Sequence, residues 1–187
     1  NDYSNEVKIG NQVWMIENLN VSRFRNGDPI PEAKTKDEWI QAGIKKRAVW
    51  CYYDNDSKNR TKHGKLYNWY AVNDPRGLAP TGWNVPTNDD WNILVDFLGG
   101  KGEAEEKMKC KDVSKETSKS HFLGLPGGIR SGFGEFSDIG NCGYWWTSSV
   151  ENNYNAAYHT IKYGVIEPQT IIGGNLDCGM SVRCLKE

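Results

Sequence analysis

From Phe122 onward glycine interrupts the chain at short intervals, and that spacing confines the second half to short strands and tight turns. Gly127-Gly128, Gly132, Gly134, Gly140 and Gly143 supply turn positions that other residues adopt at a cost. The pieces between and after them are aromatic and β-branched. Tyr144-Trp145-Trp146-Thr147-Ser148-Ser149, Ala156 to Val165 and Met180 to Leu185 read as strands of a meander.

The first half carries the helix signals. Thr35-Lys36-Asp37-Glu38 is a capping box ahead of Trp39 and Ile40, with Gly43 as the expected C-cap. Leu66 to Val72 holds bulky residues at 66, 67, 69, 70 and 72, which predicts a buried helix ended by Asp74-Pro75. Thr87 to Leu98 is the best helix pattern. Thr87 caps it, Asp89 and Asp90 face the dipole, and Gly99-Gly100 stop it. Trp91, Leu94, Val95 and Leu98 recur at i, i+3, i+4 and i+7, which makes one buried face, expected to pack on the sheet with Trp145 or Trp146. Residues 101–120 are charged, with a weak helical pattern around Glu103 to Met108. Val7 to Ile16 reads as a hairpin about a Gly10-Asn11 turn. No linker composition and no internal repeat divides the chain, so residues 1–187 are expected to form one α+β domain.

Charge and hydropathy narrow the partners. Lys plus Arg is 23 and Asp plus Glu is 24, a formal charge of −1 that offers no field for nucleic acid or an anionic membrane. No apolar run approaches the ~18 residues of a transmembrane segment, and mean hydropathy is −0.71. The opening Asn1-Asp2-Tyr3 lacks a basic and apolar leader pattern, so the chain reads as either cytosolic or a mature, trimmed product.

Signatures of catalysis are missing. His63, His121 and His159 fall in no HExxH or HxH spacing, and neither GxSxG nor GxGxxG occurs. Asp54-Asn55-Asp56 begins like a calcium loop but lacks the glycine and the closing glutamate. Glu167, Gln169, Asn175 and Asp177 form a second oxygen set that could share one Ca²⁺ with sugar hydroxyls; against it stands a strand broken by Pro168 and a polar turn. The chain has five cysteines and no CxxC pair. Its eight Trp are read mainly as core, whereas the tyrosines beyond Trp146 are as well suited to an interface.

Several segments together resemble one family. Ile9-Gly10-Asn11-Gln12-Val13-Trp14-Met15 with Glu17-Asn18-Leu19 looks like the opening of the Fibrobacter succinogenes major paralogous domain. The match continues through Gly27-Asp28-Pro29-Ile30-Pro31, Trp50 to Asp56, Gly64 to Val72 and Gly82 to Thr87 with Trp91. Leu125 to Arg130, Trp145 to Ser149 and Ser181-Val182-Arg183-Cys184-Leu185 complete it. The resemblance implies a C-type lectin-like fold of the formylglycine-generating-enzyme kind, with two main helices and a looped, mostly antiparallel sheet. It also implies export, often as a lipoprotein or surface protein of Bacteroidetes-type bacteria, and it brings no catalytic residue to transfer. Ala79 stands where the family often has cysteine, and the stretch from Ser149 to Gly179 fits the pattern only loosely.

In related lectin-like domains the stretch before the last strand is the ligand face, in some diversified by retroelements that mutate Asn codons. Four of the eighteen Asn lie there, at 152, 153, 155 and 175. The expectation is therefore a non-catalytic, extracellular or cell-surface module that binds a protein or a glycan. Strand parity turns Tyr158, Thr160 and Lys162 outward, to join Tyr154, Asn155, Glu167, Gln169 and Ile171 in one face. Export predicts a Cys142–Cys178 bridge, then Cys51–Cys184, with Cys110 left over. Two rivals are a structural or tip subunit of a surface fibre, and a formylglycine-generating-type copper oxidase using Cys178 and Cys184.

Overall fold

The computed structural model describes residues 6–110, 118–163 and 174–187. Among them the fold is mixed α+β, with short, mostly antiparallel strands in three sheets. Strands β1 (Glu6–Ile9) and β2 (Gln12–Met15) form the expected hairpin, with Gly10 at φ +61° in the turn. β2 also pairs with β10 (Leu185–Lys186), which pairs in turn with β5 (Trp83–Asn84), giving the order β1-β2-β10-β5. The two ends of the chain therefore close one sheet, and Lys186 Nζ reaches Glu6 at 2.7 Å across it.

Helix α1 (Lys36–Ile44) begins at the predicted capping box, where Thr35 and Glu38 satisfy each other's backbone N–H. It runs past Gly43, and Lys46 rather than a glycine takes the left-handed position at φ 51°. The next two elements depart from the sequence reading. Leu66 and Tyr67 are strand β4 (Leu66–Tyr67), paired with β3 (Trp50–Cys51), and only α3 (Trp69–Val72) is helical. Asn68 causes the switch. Its Oδ1 accepts from Val49 N at 3.1 Å and caps Ala71 N at 3.2 Å, so it ends the strand and starts the helix. The single turn α2 (Arg60–His63) precedes β4.

α4 (Asn88–Phe97) and α5 (Lys101–Met108) follow as expected, α4 with a capping box between Thr87 and Asp90. The last sheet holds β6 (Gly127–Arg130), β7 (Phe136–Ile139), β8 (Cys142–Val150) and β9 (Ala156–Lys162) in the order β7-β6-β8-β9. Its β6–β8 pairing, at Gly128 opposite Gly143, is parallel.

β8 organises the core because neighbouring residues serve opposite faces. Trp146 and Tyr144 join Tyr67, Trp69, Met180 and Val182 on one side. Trp145 joins Trp14, Trp91, Phe122 and Ile161 on the other, so α4 packs on the sheet through Trp91 as its periodicity predicts. A third cluster sets Trp39 and Cys51 beside Arg130, whose guanidinium lies 4.7 Å from the Trp39 ring centre and donates to Ala33 O and Thr35 O at 3.0 Å each.

The disulfide expectation is overturned: no bridge joins Cys142 to Cys178 or Cys51 to Cys184. Cys142, Cys178 and Cys184 lie in one apolar cluster, each as a free, buried thiol. Cys142 Sγ donates to Gly143 O, Cys178 Sγ accepts from Gly132 N, and Cys51 sits by Arg130, in a different cluster from Cys184. Cys110 is also buried, and its backbone N–H donates to Tyr163 Oη at 2.7 Å.

Candidate binding face

The turn from Val150 into β9 is built by asparagine. Asn152 Oδ1 accepts from Tyr154 N at 2.9 Å and Asn155 N at 3.1 Å, while Asn152 N donates back to Asn155 O. That closed turn leaves the Tyr154 side chain 77% exposed, which is unusual for a large aromatic group. The segment before the last strand is tied to it. Ala156 N donates to Gly174 O at 2.8 Å, Leu176 N donates to Tyr154 O at 3.1 Å, and Asn155 bridges Asn175. Two pieces twenty residues apart in sequence thus form one surface. Asn155 Oδ1 is buried there, with no hydrogen-bond partner among the described residues.

Further along β9 the predicted residues separate into different roles. Tyr158 is half-buried, with its ring 6.3 Å from that of Tyr144 and 6.4 Å from that of Trp146. Burial, then the Glu151 charge, pushes its hydroxyl above the ordinary tyrosine value. Thr160 is half-buried and Lys162 is exposed. Lys162 N donates to Glu105 Oε1 of α5 at 2.6 Å, which closes that end of the strand. From Ala156 to Lys162 the strand spans about 20 Å, so Lys162 is remote from Tyr154. Glu167, Gln169 and Ile171 lie outside the described residues.

On the far face of β9, His159 stacks on Trp91 with ring centres 4.8 Å apart and Nε2 3.2 Å from Asn88 Oδ1. Burial, aided by Lys101, lowers it to about 4. His63, 4% exposed, is lowered to about 4 by burial and Lys62.

The sequence reading missed the neighbours of Asp177. Trp39 Nε1 donates to Asp177 O at 3.0 Å across 138 positions, and the half-buried carboxyl group rests against Gly132 and Gly43. Tyr70 is close enough for the Asp177 charge to add to burial in raising its hydroxyl. Contacts of this range have no local signal. Of the calcium candidates, Asn175 and Asp177 are described. Among the described residues no three His, Cys, Asp or Glu side chains are grouped to hold a metal. Burial pushes the thiols of Cys178 and Cys184 up to about 12. Among the described residues, no helix is long and apolar enough to cross a membrane.

No curated protein and no solved structure matches the chain. One family model does, over residues 7–186, a span that takes in β10, all of β1 but its first residue, and the face around Tyr154. The chain belongs to the Fibrobacter succinogenes major domain family.

Proposed function

We propose that the chain is a non-catalytic, exported or cell-surface binding module with a C-type lectin-like fold. It recognises a protein or glycan through the surface where the Tyr154 turn meets residues 174–178. The observation that carries this reading is the side chain of Tyr154. It stands 77% exposed on a turn fixed by Asn152 and by the backbone of Leu176. A rigid aromatic group of this kind adds contact area at low entropic cost, and the surrounding asparagines add adaptable hydrogen bonds. Asn152, Asn153, Asn155 and Asn175 gather at this surface, which supports a face diversified at Asn codons by a retroelement.

The test is a binding screen of the whole chain against glycans and surface proteins, with and without calcium. A specific hit that Tyr154→Ala abolishes, with the melting temperature unchanged, supports the face. A hit that survives Tyr154→Ala moves the site elsewhere. No hit, together with self-association in light scattering, favours the structural subunit of a fibre.

A further inference from the structure

β1 is the outer strand of the sheet that joins the two chain ends, and hydrogen-bond parity decides what its free side offers. The two-residue turn Gly10-Asn11 makes Ile9 and Gln12 the hydrogen-bonded closing pair, and bonded and non-bonded pairs alternate from there. Val7 therefore bonds Trp14, while Lys8 and Glu6 direct their N–H and C=O groups away from β2. Met15 agrees with that parity. It stands opposite Glu6 and turns its own N–H the other way, to Cys184 O at 3.0 Å. Among the described residues no other segment bonds the outward backbone groups of Glu6 and Lys8.

The side chains of this edge complement themselves. Glu6 and Lys8 share one face and are exposed; Val7 and Ile9 share the other, Val7 half-buried against the Trp14–Trp91 cluster and Ile9 buried in it. Lys186 holds the Glu6 carboxylate, whereas Lys8 makes no ion pair among the described residues. A lysine on an edge strand ordinarily keeps strands apart. Two antiparallel copies of β1 escape that repulsion in one register. Setting Glu6 against Glu6, or Lys8 against Lys8, opposes like charges. Centring the pair on Val7 sets each Glu6 opposite Lys8 of the other copy. In that register these outward-facing residues exchange both backbone hydrogen bonds, and the two Val7 side chains meet as a close, non-bonded pair. We propose that the free edge of β1 pairs with the same edge of a second copy of this chain, antiparallel and centred on Val7. The contact is isologous, so it closes at two copies and builds no fibre. It uses none of the residues around Tyr154 and does not rest on the binding reading above.

The whole chain is followed by sedimentation velocity up to about 1 mM, a range suited to an interface smaller than the ~1,200 Å² of stable complexes. A monomer–dimer equilibrium is expected, weakened by added sodium chloride, with ¹⁵N shifts at the amides of Glu6 and Lys8 that grow with concentration. Lys8→Glu should weaken the dimer at least about tenfold, because like charges then stand opposite each other in both symmetric pairs. Glu6→Lys should do the same. The two variants mixed in equal amounts should associate again, since each then offers the other the opposite charge along the whole edge. That rescue separates a lost contact from a lost fold, and the melting temperature of each variant checks it. A chain that stays monomeric over the whole range would overturn the proposal. So would a dimer that Lys8→Glu leaves intact, variants that stay folded yet fail to associate when mixed, or growth past two copies. Loss or survival of ligand binding at Tyr154 is read in the separate screen, so either idea can fail while the other stands.

Discussion

The indole Nε1 of Trp145 donates to Asn18 Oδ1 at 2.8 Å, joining the loop after β2 to β8 across 127 positions. The same oxygen accepts from Arg183 Nε at 3.1 Å and from its terminal nitrogen at 2.7 Å, while Asn18 Nδ2 donates to His63 O and Ser181 Oγ. Arg183 is 1% exposed, and its guanidinium otherwise reaches backbone carbonyls and the Phe122 ring. Burial lowers it to about 9. Asn18 is thus a neutral acceptor for a buried cation and an indole at once.

Asn18→Ala should therefore strand the Trp145 N–H and remove two donors' partner from Arg183. The expected loss is about 3 kcal/mol or more, because buried donors left unmade cost more when one is charged. Urea denaturation measures it. A midpoint within error of the parent chain would show that the network relaxes onto other acceptors.

Trp91→Ala should cost on the order of 3–5 kcal/mol. Its ring is fully buried, with centres 5.0 Å from Trp14 and 5.6 Å from Phe122, and it carries the stacked His159. Chemical denaturation checks this, and an unchanged midpoint would refute the packing.

The helix periodicity made that cluster legible in the sequence: Trp91, Leu94 and Leu98 are buried, and Val95, expected with them, is half-buried against the same cluster. The capping box at Thr35, the cap at Thr87 and the Gly10 hairpin were also readable because their chemistry is local. Asn68 was not. The same apolar run serves strand or helix, and only tertiary hydrogen bonds to Val49 and Arg47 decide where one becomes the other. Of the candidate face, the exposed Tyr154 was legible from composition. Tyr70, Gly43 and Gly132 around Asp177 were not, since they are brought together from three distant parts of the chain.

Acid should destabilise the chain between pH 6.5 and about 4. His63 and His159 are both lowered from 6.5 to about 4 in the fold, so over that interval the unfolded chain binds protons that the native one excludes. The stability they contribute is complete above pH 6.5 and is lost as pH falls toward about 4, with a slope near 1.4 kcal/mol per pH unit for each fully linked histidine. Urea midpoints across this range, compared with the double variant His63→Gln, His159→Gln, test the slope. An equally steep loss in the double variant would assign it to carboxylates.

Cysteine chemistry gives a sharp outcome. With no bridges, Cys51, Cys142, Cys178 and Cys184 should resist iodoacetamide in the native chain, since burial both hides them and holds their thiols at about 11 to 12. After denaturation without any reductant all four should alkylate. Intact mass and peptide mapping read the result, and a pair that stays unmodified until reduced would restore the bridge expected from export.

Tyr154 and Tyr158 should part company. Tyr154 is 77% exposed on a turn held by backbone and Asn152 contacts, so Tyr154→Ala should change stability by less than about 0.5 kcal/mol. Tyr158 is half-buried against Tyr144 and Trp146, and its truncation removes aromatic contacts worth about 0.5–1.5 kcal/mol each beyond the buried area. Tyr158→Ala should therefore lower the melting temperature as well as any affinity. The parity that aims Tyr158 away from Ile161 aims it at the first core cluster rather than into open solvent. Differential scanning calorimetry of the two variants decides the matter. Equal melting temperatures would mean that Tyr158 serves the surface alone, and a large drop in Tyr154→Ala would make its turn part of the fold rather than of the face.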